Sequence, residues 1–289
     1  MRRQIQPEAV RCVRLSAVVE WLLLLAVTLP SVQPLIGDAL PWTADGLLHF
    51  HRLAQMRRAL GQGVIYPRWA PDMGFGFGFP LFNYYAPLSY LISLPLQWLG
   101  LSTQSTLQVS LILAVWVACV GAYSWGRSVF GRRAGWASAV CYVYSPYFLY
   151  NLYDRGALAE VWGLAWVPIL FWASRRLVRF GRWSDIVLTG WSYAALILTH
   201  NILGLVTTPL LLLYIVGLWL LGERRPADLF RSAAVVIAGT GMAAFFWMRN
   251  SRAASVVRFR AEVRRKLIPL FGETTFLDWV VISLTAGIT

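Results

Sequence analysis

Long apolar runs separated by short polar stretches recur along the whole chain. They lie at about residues 15–36, 83–99, 106–125, 134–150, 160–174, 186–221 and 232–248. About 20 apolar residues suffice for a helix to cross a bilayer, so most of these runs are long enough or nearly so. The run 186–221 is interrupted by His200, Asn201 and Gly204 and is better divided into helices at 186–200 and 203–221. The pattern predicts an all-α, polytopic transmembrane helix bundle.

Arginine clusters between the runs decide the topology, because positive charge favours the cytoplasmic side. The clusters lie at residues 2–14, 127–133, 175–182 and 224–231. If 83–99 crossed the membrane, the last three clusters would lie opposite the first. That run carries Pro87, Pro95 and several tyrosines, which favour a segment at the membrane interface. We therefore predict about seven crossings and a cytoplasmic N-terminus, with a large external loop at about 37–105. The crossings are 15–36, 106–125, 134–150, 160–176, 186–200, 203–221 and 232–248.

Composition agrees with this picture. The chain is 58% hydrophobic and 13% charged, about half the charge fraction of a soluble domain. The net charge of +13 comes mostly from arginines that lie between apolar runs, which is typical of topogenic charge and not of a basic nucleic-acid-binding face. We expect membrane lipid and no nucleic acid as a partner. The apolar run after the basic N-terminus is too long for a cleaved signal peptide and predicts a retained signal anchor.

The external loop begins with a predicted amphipathic helix that lies on the membrane surface. Residues 45–60 read DGLLHFHRLAQMRRAL, with apolar residues at helical spacing. Asp45, His49 and Arg52 are spaced so that they share one helix face. Such a face could bind a ligand, or Asp45 could be only the N-cap of a solvated helix.

An aromatic and glycine-rich stretch follows at residues 66–90, YPRWAPDMGFGFGFPLFNYYAPLSY. The alternation of glycine with phenylalanine excludes a regular helix and predicts a loop that a ligand can approach closely. Arg68, Tyr84 and Tyr85 are the candidate ligand-binding residues of this loop. The alternative is an interfacial turn that is anchored by its aromatic rings.

Two further polar groups face the same side in the predicted topology. Asp154, Arg155 and Glu160 surround a helix start, where a carboxylate is costly unless it is paired or hydrated. They could form a second acidic site opposite Asp45 or only a local ion network. His200 and Asn201 could bind a ligand or simply end a helix.

These motifs resemble the C-type (GT-C) glycosyltransferase superfamily. In that superfamily one crossing precedes a large external loop, which opens with an acidic residue and carries helices along the membrane. Asp45 matches the acidic position, and segments 45–61 and 83–99 match the membrane-surface helices. The stretch WGRSVFGRRAGWASAV, residues 125–140, is similar to the superfamily's post-helix motif. The resemblance implies a GT-C-like fold.

The chain also resembles, more closely, a family of bacterial membrane proteins labelled "6-pyruvoyl-tetrahydropterin synthase-related". The motifs that carry this similarity, over about residues 15–247, are DGLLHFHRL, GVIYPRWAPDMGFGFGFPLFNYYAPLSY, YDRGALAEVW, LTHN and AAFFW. The label does not imply pterin chemistry, because the sequence contains no soluble synthase domain with its metal-binding histidines. The resemblance implies sugar transfer from a polyprenyl-phosphate donor to an envelope acceptor, on the outer face of the bacterial cytoplasmic membrane.

The resemblance also implies roles for the candidate residues. Asp45 would be the general base, while Asp154 or Glu160 would orient the acceptor or hold a divalent metal. The departing phosphate would be bound by arginines, and the other candidates would complete the substrate site. The full substrate-binding set is His49, Arg52, Arg68, Tyr84, Tyr85, Arg155, His200 and Asn201.

The sequence leaves two alternatives to an active enzyme. Transporters place ionisable groups near the bilayer midplane and often have repeated halves. The candidate residues lie at the outer rim and the sequence has no repeat, which favours an enzyme over a transporter or scaffold. We expect residues 1–248 to form the transmembrane module and 249–289 to be an atypical basic and apolar tail. Such a tail would be a truncated or frameshifted end, or it would stay inside, in which case the run 232–248 does not cross the membrane. An inactive fragment is the other alternative to an active enzyme.

Overall fold

The computed structural model describes residues 7–37, 40–74, 76–222 and 226–248. Every regular element in these ranges is helical. The helices are α1 (Pro7–Val32), α2 (Gly46–Gly61), α3 (Leu81–Tyr84), α4 (Leu88–Trp98), α5 (Thr103–Phe130), α6 (Arg132–Val143), α7 (Pro146–Tyr153), α8 (Leu158–Phe180), α9 (Trp183–Thr199), α10 (Asn201–Leu220), α11 (Pro226–Met242) and α12 (Ala244–Met248). The predicted tail at 249–289 lies outside the described residues.

Four segments of the described helices are long and apolar enough to cross a membrane. They are Val18–Leu35, Thr103–Phe130, Asn201–Leu220 and Leu229–Phe246. The predicted crossing at 134–150 is divided between α6 and α7, because Ser145 accepts a hydrogen bond from the Phe148 N–H and caps a new helix that starts at Pro146. The predicted crossings at 160–176 and 186–200 coincide with α8 and α9. The all-helical membrane architecture is thus confirmed, and the count of seven crossings stays a prediction.

The segment 83–99 does not form one long helix. Its main helix, α4, has 11 residues and is about 16 Å long, which is too short for a hydrocarbon core of about 30 Å. The predicted surface helix at 45–60 is α2. Between α2 and α3, Gly74, Gly76 and Gly78 all have positive φ, so the chain turns repeatedly there, as the glycine pattern predicted.

Helices α5 and α8 run in the same direction through the centre of the molecule. Near their starts, the Trp162 indole donates to the Ser110 hydroxyl at 2.9 Å. Near their ends, Arg175 donates to the Ser128 carbonyl at 3.0 Å. Their packed faces contain a core of fully buried residues: Ala114, Val115, Ala118, Val161 and Ala165.

This arrangement separates two polar regions. The first, called the Glu160 end, contains Asp45, Arg155, Glu160 and His200 at the start of α8 and the junction of α9 with α10. The second, called the Glu20 end, contains Glu20, Arg127, Arg132, Arg175, Arg176 and Arg179 at the opposite ends of the same helices. Two of the predicted cytoplasmic arginine clusters therefore lie together, away from the candidate site.

Candidate functional site

The loop before α2 is joined to the turn between α7 and α8 by backbone hydrogen bonds. The N–H groups of Ala44 and Asp45 donate to the carbonyls of Asp154 and Arg155 at 3.0 and 2.8 Å. Gly156 permits this close approach, because its φ is 63° and a Cβ there would run into the side chain of Thr43. The two segments that the sequence predicted to face each other are therefore in direct contact.

The Arg155 guanidinium lies at the centre of the site. It donates to the Glu160 carboxylate at 2.5 Å and to the Asn151 side-chain oxygen at 2.9 Å. Its other terminal nitrogen lies 3.9 Å from the Asp45 carboxylate. Arg155 thus bridges two of the three predicted catalytic carboxylates, and it stays accessible because 37% of its side chain is exposed.

Glu160 is the buried member of this group, with 8% of its side chain exposed. One carboxylate oxygen accepts from the Tyr147 hydroxyl and the other from Arg155. The His200 Nε2 atom lies 3.9 Å away. Glu160 is also in the first turn of α8, where the helix dipole favours a negative charge. With its oxygens engaged, Glu160 is placed to hold Arg155.

Asp45 is more accessible than Glu160. It occupies the N-cap position of α2, but its side chain makes no capping hydrogen bond. About a third of the side chain is exposed (35%), and its described ionic partner is Arg155. The capping interpretation of Asp45 therefore gains no support from the geometry, and the carboxylate is free to meet a ligand.

His49 lies behind the site and is buried, with both ring nitrogens engaged. Its Nε2 accepts from the Leu158 N–H at 3.2 Å, so Nδ1 carries the proton and donates to the Tyr90 hydroxyl at 2.8 Å. Burial lowers the pKa of His49 to about 3, with a further contribution from the positive charges of Arg52 and Arg155. His49 is therefore neutral. It lies on α2, one turn after Asp45, and holds the start of α8 through the Leu158 N–H.

Arg52 and Tyr85, two of the predicted ligand-binding residues, contact each other beside His49. The Arg52 guanidinium lies 4.1 Å from the centre of the Tyr85 ring, and the His49 and Tyr85 rings are 6.2 Å apart. The Arg52 Nε atom is buried without a hydrogen-bond acceptor among the described residues. The Arg52 guanidinium therefore adds positive charge behind the site.

The other predicted residues lie at its edges or outside it. Arg68 donates to the Asn83 side chain at 3.0 Å and to the Phe245 carbonyl at 2.9 Å, so it ties the aromatic loop to α12. Asp154 is exposed beside the site, and Tyr84 is half-buried. The ion network predicted as an alternative therefore forms between Arg155 and Glu160 without a described side-chain contact from Asp154.

The pair at the α9–α10 junction has a structural role as well. His200 accepts the Leu203 N–H through Nδ1 at 3.0 Å and so caps α10, while its Nε2 points toward Glu160. The Asn201 side chain accepts the N–H of its neighbour Ile202 at 3.0 Å. His200 belongs to the cluster, whereas Asn201 makes only this local contact among those described.

Sequence reasoning missed Tyr147 and Asn151. Both lie on α7, one turn apart, and hold Glu160 and Arg155 respectively. The signal was present in SPYFLYN, because a Ser-Pro helix start predicts a helix whose residues at i and i+4 share a face. Assigning residues 134–150 to one crossing concealed it.

An apolar groove of about 390 Å³ adjoins Asp45. The two neighbours of Asp45, Ala44 and Gly46, line it, as does His49. Its remaining walls are largely apolar and come from the preceding loop, α2, α5 and the α7–α8 region: Leu35, Leu40, Pro41, Trp42, Thr43, Leu47, Phe50, Leu107, Leu111, Leu152, Gly156 and Leu158. The groove has the volume and the apolar lining to take part of a hydrocarbon chain next to Asp45.

The predicted divalent metal does not fit this arrangement. Within the described residues, no group of three or more His, Cys, Asp or Glu side chains is placed to hold a metal ion. The space between Asp45 and Glu160 is instead occupied by Arg155, whose positive charge would repel a cation.

Comparison with known proteins gives a family but no structural template. A family model described as "6-pyruvoyl-tetrahydropterin synthase related domain; membrane protein" matches residues 82–287, which includes most of the predicted tail. An uncharacterized protein of Lactococcus lactis subsp. cremoris is 20% identical over 204 residues, 68% of this chain. The chain spans about one third (33%) of that relative's length. No solved structure matches the chain.

Proposed function

The chain belongs to the family of 6-pyruvoyl-tetrahydropterin synthase related membrane proteins, and we propose that it is a glycosyltransferase that uses a polyprenyl-phosphate sugar. The sugar would pass to an envelope acceptor at the Glu160 end of the helices, on the outer face of the bacterial cytoplasmic membrane. One observation carries the proposal: an accessible carboxylate, Asp45, lies 3.9 Å from a fixed guanidinium, and its two chain neighbours line an apolar groove. A lipid-linked donor needs all three of these features.

Asp45 acts as the general base. The acceptor hydroxyl oxygen attacks the anomeric carbon and forms the new glycosidic bond, while its proton passes to the Asp45 carboxylate. The bond between the anomeric carbon and the phosphate oxygen breaks, and the lipid phosphate departs with the bonding electrons. Glu160 is a poorer base, because Tyr147 and Arg155 already engage its oxygens.

Arg155 stabilises the departing phosphate. Its contacts with Glu160 and Asn151 fix one side of the guanidinium and leave the nitrogen nearest Asp45 directed at the reacting atoms. Charge-assisted hydrogen bonds from arginine are well suited to phosphate oxygens. Arg52 adds a second positive charge from behind Tyr85.

The apolar groove receives the prenyl chain of the donor. Because Ala44 and Gly46 line the groove on either side of Asp45, a chain lying in it brings its phosphate to the Arg155–Asp45 pair. A donor that diffuses within the membrane needs no nucleotide-binding loop.

The test is transfer of label from radiolabelled undecaprenyl-phosphate hexoses (mannose, glucose and galactose, each assayed separately) into envelope material. The protein is reconstituted in proteoliposomes. Asp45→Asn removes the proton acceptor but keeps the side-chain shape, so transfer should fall by about 100- to 10,000-fold.

The matched control is Asp72→Asn. Asp72 is an exposed aspartate that follows α2, whereas Asp45 precedes it. The control variant should retain wild-type transfer. An Asp45→Asn variant that keeps more than about a tenth of the wild-type rate would exclude Asp45 as the essential base. Absence of transfer by the wild-type protein with all three donors would overturn the proposal and favour a scaffold.

A further inference from the structure

A second cavity, of about 530 Å³, lies at the Glu20 end between α1, α5 and α8. A single water needs about 10–15 Å³ of such volume, so the cavity is large enough for a phosphate headgroup. Four arginines line it, Arg127, Arg175, Arg176 and Arg179, together with aromatic side chains such as Trp21 and Phe180.

Positive charge in this cavity exceeds the negative charge beside it. Glu20 is shared by two arginines, Arg127 at 2.6 Å and Arg132 at 3.0 Å. Asp185 pairs with Arg176 at 2.7 Å. Among the described residues, Arg175 and Arg179 have no carboxylate partner: Arg175 donates to a backbone carbonyl, and Arg179 lies 5.4 Å from the ring centre of Phe180.

The guanidinium groups are held in place by the surrounding helices. Arg127 is fixed by Glu20 and by the Tyr123 hydroxyl at 3.1 Å. Arg175 is fixed by the Ser128 carbonyl at 3.0 Å, and Arg176 by the buried Asp185 and by the Trp172 ring at 5.1 Å. Arginines that only mark the cytoplasmic side need no such fixed partners, so the region is built as a site.

The rim of the cavity is apolar on the side of α1. On α1, Trp21 is about half exposed (49%), and the next residues, Leu22 and Leu23, are exposed as well. Phe180, at the end of α8, is also about half exposed (51%). In a membrane-spanning helix these apolar side chains face lipid. The cavity therefore opens toward acyl chains, while its interior offers guanidinium groups.

We infer that this cavity binds the phosphate headgroup of an anionic phospholipid, with the acyl chains along the half-exposed Trp21 at its rim. The lipid comes from the leaflet that meets the Glu20 end, which the arginine distribution predicts to be the cytoplasmic one. Basic pockets between transmembrane helices on that side suit acidic lipid headgroups. The inference is independent of sugar transfer, which belongs to the other end.

Lipid binding is measured by native mass spectrometry of the full chain in detergent, titrated with phosphatidylglycerol or phosphatidylcholine. Both lipids carry a phosphate, but only phosphatidylglycerol has a net negative charge. We expect wild-type protein to bind phosphatidylglycerol at least about tenfold more tightly than phosphatidylcholine.

Arg175→Gln/Arg179→Gln removes the two guanidiniums without carboxylate partners. We expect phosphatidylglycerol binding to weaken by about fivefold or more, with phosphatidylcholine binding unchanged. The matched control, Arg57→Gln/Arg133→Gln, loses the same charge at two exposed positions outside the cavity and should stay within about twofold of wild type. Arg175→Lys/Arg179→Lys keeps the charge and should retain most of the preference.

Three results would overturn the inference. Equal affinity of the wild-type protein for the two lipids would do so without any variant, even if the glutamine variant failed to fold. Equal weakening by the control variant would show a general charge effect. Displacement of phosphatidylglycerol by inorganic phosphate at millimolar concentration would reassign the cavity to free anions.

Discussion

The two polar ends of the helix bundle are built around the same contact. At each end a glutamate accepts hydrogen bonds from a tyrosine hydroxyl and an arginine: Tyr147 and Arg155 for Glu160, Tyr123 and Arg127 for Glu20. The surroundings differ. Around Glu160 lie a second carboxylate and two histidines, whereas Glu20 is surrounded by further arginines.

The difference shows that the local contact fixes geometry while the neighbouring charges decide the chemistry. A guanidinium between two carboxylates leaves an accessible base beside a cation, as at Asp45 and Arg155. Several guanidiniums around one carboxylate leave a site for an anion. We therefore propose two roles for the same Glu–Tyr–Arg contact: it lies beside a proton acceptor at one end and beside an anion-binding cavity at the other.

The largest expected effect is an all-or-none difference in labelling of the two ends. Asp72 and Arg133 are exposed. Asp72 represents the predicted external loop, and Arg133 represents the Glu20 end. The chain has three cysteines, of which Cys119 is buried and is left in place, while Cys12 and Cys141 are replaced by serine. In this background Asp72→Cys should react with a membrane-impermeant maleimide in intact cells. Arg133→Cys should react only after permeabilisation. Labelling of both from the same side would place the two ends in one compartment and end the comparison.

The next effect concerns acid stability and is confined to the Glu160 end, where His49 is buried. Its folded-state pKa of about 3 lies below the ordinary value of 6.5. The neutral form therefore stabilises the fold fully above about pH 6.5, and this stabilisation is lost as the pH falls toward 3. One proton taken up on unfolding corresponds to about 1.4 kcal/mol per pH unit, or on the order of 5 kcal/mol over the whole shift.

The free energy of unfolding in mild detergent, measured between pH 7 and 4, tests this effect. His49→Gln should be less stable than wild type at pH 7 and should show a flatter decline with acid. His51→Gln is the matched control, because His51 lies two residues away on α2 and is exposed. If the free energy of unfolding falls equally steeply with pH in wild type and in His49→Gln, His49 is not the buried, neutral group described above.

Whether a feature of the site could be predicted from the sequence depends on how far apart in the chain the contacting residues lie. The sequence singles out ionisable residues near apolar helices because they are rare and costly there. This is how Asp45, Arg155, Glu160 and His200 became candidates. The burial of His49 was not predicted, because it depends on the Leu158 N–H, which lies 109 residues away. Helical spacing places residues on a face but does not say which distant backbone covers that face.

The cavity at the Glu20 end was missed for a related reason. Two of the four predicted arginine clusters, 127–133 and 175–182, do lie together, but charge counting does not show that α1, α5 and α8 leave a space between them. The break between α6 and α7 was also missed, although Ser145 and Pro146 were visible in the sequence. Hydropathy averages over such local helix starts.

A smaller effect separates the two glutamates by activity. Glu160→Gln removes the charge that holds Arg155 beside Asp45, so transfer should fall by about 10- to 100-fold through misplacement of the guanidinium. Glu160→Asp keeps the charge and should recover part of the rate. Glu20→Gln breaks the same contact far from the reacting atoms, and its loss should stay below about threefold. Equal losses for Glu160→Gln and Glu20→Gln would show that both act only through stability.

The smallest effect is expected at an ion pair that resembles Arg155–Glu160 only in its length. Arg58 and Asp72 are also 2.5 Å apart, but about half of each side chain is exposed (54% and 49%). Hydrogen bonds from Gln55 and Arg58 lower the pKa of the Asp72 carboxyl. The pair therefore stabilises the fold above about pH 4, and this contribution is lost as the pH falls through the lowered pKa.

Because solvent screens the exposed charges, Asp72→Asn should cost less than about 1 kcal/mol at pH 7 in the same unfolding assay. An asparagine can still accept from Gln55, which reduces the cost further. A loss above about 2 kcal/mol would mean that this contact anchors the glycine-rich loop to α2, and exposure would then not explain the difference between the two pairs.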